Sequence, residues 1–594
     1  MKSLITQRNG KPTLLIDGVP VSAVAYTTYF EERSRYEDFL EAGYRIFFVN
    51  LSFTVLPINP ETLFTPFHVG VFEDPSLPDY SEFEAAVSKI LAACPDAIIF
   101  PRIYVSMPQW WVESHPDEVY VTDRGHAREI MFSEVFRRDA SELLAKVIKH
   151  IKDSSYAPRI GGWMICGAST QEFLHRDSNG DLCPAALKYY AQWLQKTYGE
   201  QTATLPQKEE FEYAENHPPL SENARRYSFF SNLAMAETLD TFAEVAKRET
   251  NFEQVVGAFY GYLFEARSPL FGVHGLRAVI DSPNLDFFSS PNAYLENRPF
   301  GIDWVDMMPV DTMKAHGKLV FMECDIRTYL TTGIQEARPL EYPDFIYTSA
   351  LWAGPPTPEL SREALRKCFA HQITKASAIW WFDMWGGWFR DPLLMEALAD
   401  MRRIYDKDLS RDATDCLSPE VVFFADERGH TDILKKSPYV KEMKATRVAM
   451  GKTGVPYDSH MVEDAEQILR HYKAAVFPTP FASEEAKKAM ALCKSLGVPY
   501  LSASDTHKRL TVDRLCEFYK ENGIHFYAEE HDVVYLGNGY VALHSKAGGE
   551  KRLHLPKLCT LTPVFGADLP TQTTDVLTFE LAENATALFA LDKN

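Results

Sequence analysis

The chain has 594 residues, 46% of them apolar and 24% charged, which is material for several hydrophobic cores and too much for a single ordinary one. Sixty-one basic side chains against 82 acidic ones leave a net charge of −21. That balance argues against nucleic acid and anionic membrane as partners, because binding to phosphates needs a surplus of positive charge.

No stretch approaches the roughly 20 apolar residues of a membrane span, and Met1 to Gly10 lack the apolar core of a signal peptide. The 9 cysteines are scattered singly, without a Cys-x-x-Cys pair, so a reduced, cytoplasmic protein without structural zinc is expected.

Leu14–Ala25 holds an Asp17-Gly18 turn between alternating residues, the pattern of a hairpin that precedes a larger domain or covers its floor. From there to about residue 405, β-branched and aromatic runs alternate with longer helical patterns. Eight strands are predicted: Val21–Tyr26, Arg45–Phe53, Ala97–Tyr104, Ile160–Cys166, Val255–Phe259, Asp286–Ser290, Lys318–Glu323 and Ala378–Asp383. Helical patterns such as Ala140–Lys152 and Ala185–Thr197 fall between them. Eight such units match a (β/α)8 barrel with long insertions. A doubly wound sheet would need a glycine-rich loop after its first strand, and Ala25–Phe30 contains no glycine.

A second unit begins near Leu417, with strands predicted at Val421–Asp426, Tyr457–Met461, Ala474–Pro478 and Val498–Leu501. It reads as a small Rossmann- or flavodoxin-like domain, and it lacks both a phosphate loop and a nucleophile elbow. From about Ile524 the chain turns strand-rich: His525–Tyr527, Val533–Leu536, Val541–Ser545, Lys551–Leu555, Val576–Leu581 and Ala587–Ala590. The expected domains are therefore a barrel over 1–410, an α/β unit over 411–515 with an oligomerising role, and a β-domain over 516–594.

The chemistry is carried by two glutamates at the ends of apolar strands, Glu172 just past the fourth and Glu323 at the end of the seventh. In such barrels catalytic groups sit at the C-terminal strand ends. A retaining glycosidase needs two carboxyls about 5–5.5 Å apart, one neutral and one ionised. Aromatics cluster at the same ends: Trp110, Trp111, Tyr260, Tyr262, Tyr294, and the run from Trp380 and Trp381 to Trp385 and Trp388. Flat rings suit the C–H face of a pyranose, although each can equally pack in a core. Asp383, closing that last strand, either binds a hydroxyl or caps the loop. His126, His175 and His274 show no metal-ligand spacing, and Ser289 and Ser290 have no matched His and Asp, so neither metal nor cofactor is expected.

Three segments carry a family resemblance. Ile160–Glu172 resembles the acid/base segment of barrel glycoside hydrolases related to the family 42 β-galactosidases. Phe100–Trp111, followed by Ser114–Glu118, is similar to their strand-three segment, and Glu323–Thr328 to their nucleophile region. The order of barrel, Rossmann-like unit and β-domain is similar too. The resemblance implies Glu172 as general acid/base and Glu323 as nucleophile. Arg102, Trp111, Gln171, Tyr262, Tyr294, Asp325, Arg327, Trp381 and Asp383 are the candidate substrate contacts. It also implies a homo-oligomer, a trimer by preference, assembled through the middle domain and acting on a small glycoside.

For Glu172 to stay protonated, burial and the neighbouring Glu323 charge must raise its pKa. Glu323 needs a donor to stay ionised, and Arg327 either supplies it or pairs with Asp325. The family usually has asparagine before the acid/base glutamate, and this chain has Gln171. That change leaves the sugar's C2 configuration open between galactosides and the β-mannosides of the similarly built family 164. A reading of another class is a non-catalytic sugar-binding or scaffold protein on the same barrel.

Overall fold

The computed structural model describes residues 1–59, 62–122, 125–175, 182–215, 219–265, 267–294, 298–529 and 531–592. Eight parallel strands close into a barrel: β1 Val24–Thr27, β2 Ile46–Ser52, β3 Ile98–Val105, β4 Gly162–Gly167, β5 Val255–Phe259, β6 Phe287–Pro291, β7 Leu319–Cys324 and β8 Ala378–Phe382. Closure is made by β8 on β1, with Ile379 opposite Val24 and Phe382 opposite Thr27. All eight predicted strands are present. The first begins at Val24 rather than Val21, because the Val21 N–H bonds the Leu14 carbonyl and is drawn into the hairpin.

The barrel closes because its strands are apolar on both faces. Inside, Phe48, Phe100, Phe287 and Phe321 form one ring layer, with centroids 5.1 Å apart for Phe48–Phe100 and 5.2 Å for Phe287–Phe321. Side chains alternate along a strand, so two residues on, the same inward column carries Asn50, Arg102, Ser289 and Glu323. The site is therefore floored by phenylalanine and built of polar groups one layer higher.

The N-terminal hairpin pairs Ser3–Arg8 with Lys11–Ile16, turning at Asn9-Gly10, and a short return strand follows the Asp17-Gly18 turn. It lies against the start of β5, where Ser3 Oγ accepts the Val255 N–H at 2.8 Å, and is anchored by Lys11 Nζ on Asp408 at 2.6 Å.

The second unit is a four-stranded parallel sheet of β9 Val421–Ala425, β10 Tyr457–Met461, β11 Ala474–Phe477 and β12 Tyr500–Ser502. Its spatial order is β10-β9-β11-β12, the flavodoxin-like arrangement. The third is an antiparallel sheet of β13 Val533–Gly537, β14 Tyr540–His544, β15 Gly549–Phe565, β16 Gln572–Leu581 and β17 Thr586–Asp592, ordered β13-β14-β17-β15-β16. His525–Tyr527 is not a strand: Tyr527 gives its N–H to Gly454 and takes one from His554, joining second unit to third outside any ladder. The predicted Lys551–Leu555 strand is one end of the long β15, which shifts register between His554 and Cys559.

All 9 cysteines are free thiols, and no helix among the described residues is long and apolar enough to cross a membrane.

A buried charge cluster locks the barrel to the second sheet. Lys375, at the end of helix Pro358–Thr374, places Nζ 2.9 Å from Asp311, from Asp458 and from the Tyr457 carbonyl. Asp311 lies on a short helix between β6 and β7, while Asp458 and Tyr457 belong to β10. Removing one partner of a buried cluster strands the others. Lys375→Met is expected to cost about 3–5 kcal/mol in urea unfolding at pH 7. Lys314→Met, whose more exposed amine meets Asp311 at 3.3 Å, should cost far less. Equal losses would remove Lys375 as the lock.

Candidate active site

The chain leaves β4 at Gly167 and turns through a loop whose Ala168, Thr170, Gln171 and Phe173 all adopt positive φ, 59°, 52°, 63° and 48°. Non-glycine residues hold such angles at a cost on the order of 1 kcal/mol or more each, so the surroundings must impose them. They do: Phe173 N–H bonds the Gly167 carbonyl at 2.9 Å, Ser169 N–H bonds Leu174 at 3.1 Å, and Thr170 N–H bonds Ile58 at 2.5 Å. A Cβ on Gly167 would stand 3.0 Å from the Phe173 ring, which explains the glycine there.

The loop holds Glu172 in a buried position. Thr170 Oγ1 lies 2.6 Å from Glu172 Oε2 and 2.8 Å from the Ser169 carbonyl. The Thr170 hydroxyl donates to Glu172 Oε2 and ties the carboxyl to its own loop. Gln171 is fully buried; its Nε2 donates to Ser106 Oγ at 2.8 Å and its Oε1 has no protein partner.

Glu323 is the penultimate residue of β7, opposite Pro291 of β6 and Trp380 of β8. It is 2% exposed, with Oε2 unpartnered. Burial pushes its pKa well up, and the charges of Asp325 and Glu172 push the same way, against the guanidiniums of Arg102 and Arg298. The two glutamates therefore share one field. Both also act on Tyr29 and on Cys166, whose thiol, chiefly through burial, is pushed up to about 11.

Arg102 is the cation at the centre. It is fully buried, and Nε, Nη1 and Nη2 all lack hydrogen-bond partners. Rings hold it instead: Trp380 at 4.7 Å, Tyr104 at 5.2 Å, Tyr29 at 5.5 Å, Phe382 at 5.6 Å and Phe259 at 5.9 Å. Desolvation would lower its pKa, yet its surroundings keep it raised and charged.

Asp325 takes Arg298 Nη1 at 2.6 Å, Arg327 Nη1 at 2.5 Å and the Tyr294 hydroxyl at 2.8 Å. Burial alone would raise this carboxyl, but the two guanidiniums hold it below the usual range. Arg327 thus pairs with Asp325, and Arg102 is the cation facing Glu323.

Three expected substrate contacts lie elsewhere. Trp381 points out of the barrel, its Nε1 bonding the Tyr44 hydroxyl at 2.9 Å, because the alternation that turns Trp380 inward turns Trp381 to the helices. Trp111 stacks on His115 at 4.5 Å and donates to Asp139 on helix Glu134–Lys152 at 2.8 Å. Asp383 caps the loop after β8, accepting the Gly387 and Trp388 N–H groups and the Tyr26 hydroxyl, with its pKa brought by burial to about 6. Tyr262 is nearly buried, stacked on Phe259 at 5.8 Å.

Sequence reasoning passed over Tyr29, Asn50, Tyr104, Ser106 and Arg298. The step of two from Phe48 to Asn50, and from Phe100 through Arg102 to Tyr104 and Ser106, was the signal that could have found three of them. Arg298, on a loop, had none. Among the described residues no group of three or more His, Cys, Asp or Glu could hold a metal ion.

The closed parallel barrel, followed by an α/β and a β unit, carries Glu172 on the loop after β4 and Glu323 within β7. The family model described as Glyco_hydro_42, Beta-galactosidase, matches residues 81–208, a run containing β3, β4 and Glu172. Among solved structures, β-galactosidase from Bacillus circulans sp. alkalophilus is 13% identical with TM-score 0.62, over 96% of this chain and 98% of that one. A catalytic mutant of Gan42B, a GH42 β-galactosidase from G. stearothermophilus, gives 9% identity and TM-score 0.62 over 96% and 98%. Apo exo-carrageenase GH42 from Bacteroides ovatus gives 11% and TM-score 0.56 over 100% and 85%. No curated protein sequence matches significantly. At these identities the likeness is one of fold, and the fold is the one the resemblance in the sequence implied.

Because Arg102 opposes the rise in the Glu323 pKa, Arg102→Met should raise it further. The Glu323 carboxyl, followed by NMR titration of the full chain, should then titrate at higher pH than in the wild type. An unmoved titration would detach Arg102 from Glu323.

Proposed function

We propose that this protein is a retaining exo-β-glycosidase that releases terminal β-linked hexose, β-galactosides first among its substrates, by double displacement. The observation that carries this reading is the pair of buried carboxyls, Glu172 and Glu323, near enough for the charge of one to act on the other, with the ring-packed guanidinium of Arg102 acting on Glu323 as well. Glu172 is the general acid, positioned by the Thr170 hydroxyl, and it gives its proton to the departing glycosidic oxygen. Glu323 is the nucleophile, bonding the anomeric carbon to form a glycosyl-enzyme. Glu172 then removes a proton from water, which displaces Glu323 and restores both groups. Charge developing on the sugar in each transition state favours the ionised form of a glutamate that burial by itself disfavours.

The family 42 match over 81–208 and the β-galactosidase neighbours support galactose as the sugar. A β-mannoside is the second reading, because Gln171 replaces the family's asparagine and presents an unpartnered Oε1. We further propose a cytoplasmic homotrimer built through the α/β unit. Light scattering at three times the 67.6 kDa chain mass is the expected result.

Glu323→Ala should cut turnover by several orders of magnitude, with azide restoring part of it through an inverted glycosyl azide. Glu172→Gln should spare aryl glycosides with good leaving groups and cripple those with poor ones. A panel of nitrophenyl β-glycosides decides galactose against mannose. Binding without hydrolysis across the whole panel would leave the non-catalytic reading standing.

A further inference from the structure

Arg327 follows the nucleophile strand and is only 6% exposed. Its Nη1 is spent on the carboxylate and carbonyl of Asp325, both at 2.5 Å, while Nε and Nη2 have no partner. Those two nitrogens form one edge of the guanidinium, the edge that grips an oxyanion with two parallel bonds. Elsewhere in this chain the same edge is filled: Arg35 holds Asp38 through Nε and Nη2 at 2.7 and 2.8 Å, and Arg338 holds Glu32 at 2.7 and 3.0 Å. Leaving buried charged donors unmade costs about 1–3 kcal/mol or more apiece, so the unpartnered edge calls for a ligand.

The surroundings suit an anion. Trp352 at 4.5 Å and Trp388 at 5.5 Å lie against the guanidinium and hold it in place. Arg327 lines a cavity with Arg298, Trp304, Leu351 and Pro355, about 390 Å³ of space including its open mouth. Arg298 is fully engaged with Asp325 and the Asn292 and Ala293 carbonyls. Two guanidiniums therefore share the one carboxylate of Asp325, and only one of them, Arg327, keeps an unfilled edge.

We propose that Arg327 and this cavity form an oxyanion subsite that receives a sulfate or carboxylate group carried by the glycoside, beside the nucleophile. The proposal rests on the glycosidase reading for the source of the anion, though not for the existence of the subsite. Asp325, two residues beyond Glu323, is the link between subsite and catalytic pocket, so an anion on Arg327 is held at a fixed offset from the scissile bond.

The test uses the full chain as wild type, Arg327→Gln and Arg327→Lys. The lysine variant keeps a charge for Asp325 but loses the two-nitrogen edge, and so guards against a glutamine variant that fails to fold. The probes are nitrophenyl β-galactoside, its ring-sulfated derivative and nitrophenyl β-galacturonide, with inorganic sulfate titrated by calorimetry. The expected result is at least a tenfold kcat/KM preference for one anionic glycoside over the neutral parent, collapsing toward parity in both variants when each is referred to its own rate on the parent. Saturable sulfate binding that vanishes in the variants, without any substrate preference, upholds the subsite but overturns its assignment to the substrate in favour of a free anion. If no glycoside is hydrolysed, the glycosidase reading fails and the sulfate titration alone decides the subsite. The absence of both a substrate preference and saturable sulfate binding overturns the proposal.

Discussion

A charged guanidinium sits at the centre of this barrel held by ring faces rather than by a carboxylate, and the rest of the site is arranged around that fact. Arg102 is held by ring faces, with Glu323 the carboxylate in its field, and not by a paired carboxylate. A direct salt bridge would neutralise the pocket and close it. Ring faces attract the cation while leaving its donors free for a ligand's hydroxyls. The phenylalanine layer beneath keeps water out from below, so the charges above it act in a medium where they are felt strongly.

The opposing carboxyl is brought in by a different device. β7 delivers Glu323 as part of the sheet, so its backbone is fixed by register on both sides. Glu172 comes from a loop with four left-handed residues, held by ties to Gly167, Leu174 and Ile58. One group is rigid because the barrel is rigid. The other is rigid because a strained loop is clamped at several points, the kind of conformation that persists only where the surroundings over-determine it.

Asp325 connects this centre to the surrounding loops. Its two arginines and a tyrosine arrive from the segments after β6 and β7, and fixing them fixes the rim on that side of the pocket. Further out, Lys375 fastens the second sheet to the barrel wall through buried charges rather than apolar area alone. Buried charge pairs are costly to assemble and costly to break singly, which suits contacts that must hold one relative placement.

The amino-acid sequence determined the period of the elements and therefore the fold: eight apolar strands, a 2-1-3-4 parallel set and a late antiparallel set all accord with local pattern, as does Glu323 at the end of β7. His525–Tyr527 misled because an aromatic triplet can bridge two units without joining a sheet. Only the tertiary structure decided which way adjacent side chains face. Trp380 enters the barrel and Trp381 leaves it, Asp383 turns back to cap its own loop, and Arg327 chooses Asp325 while Arg102 faces Glu323. Local pattern fixes alternation but not its phase where both faces of a strand are apolar, and it carries no information on which distant loop supplies a partner. Those choices are made when the barrel closes.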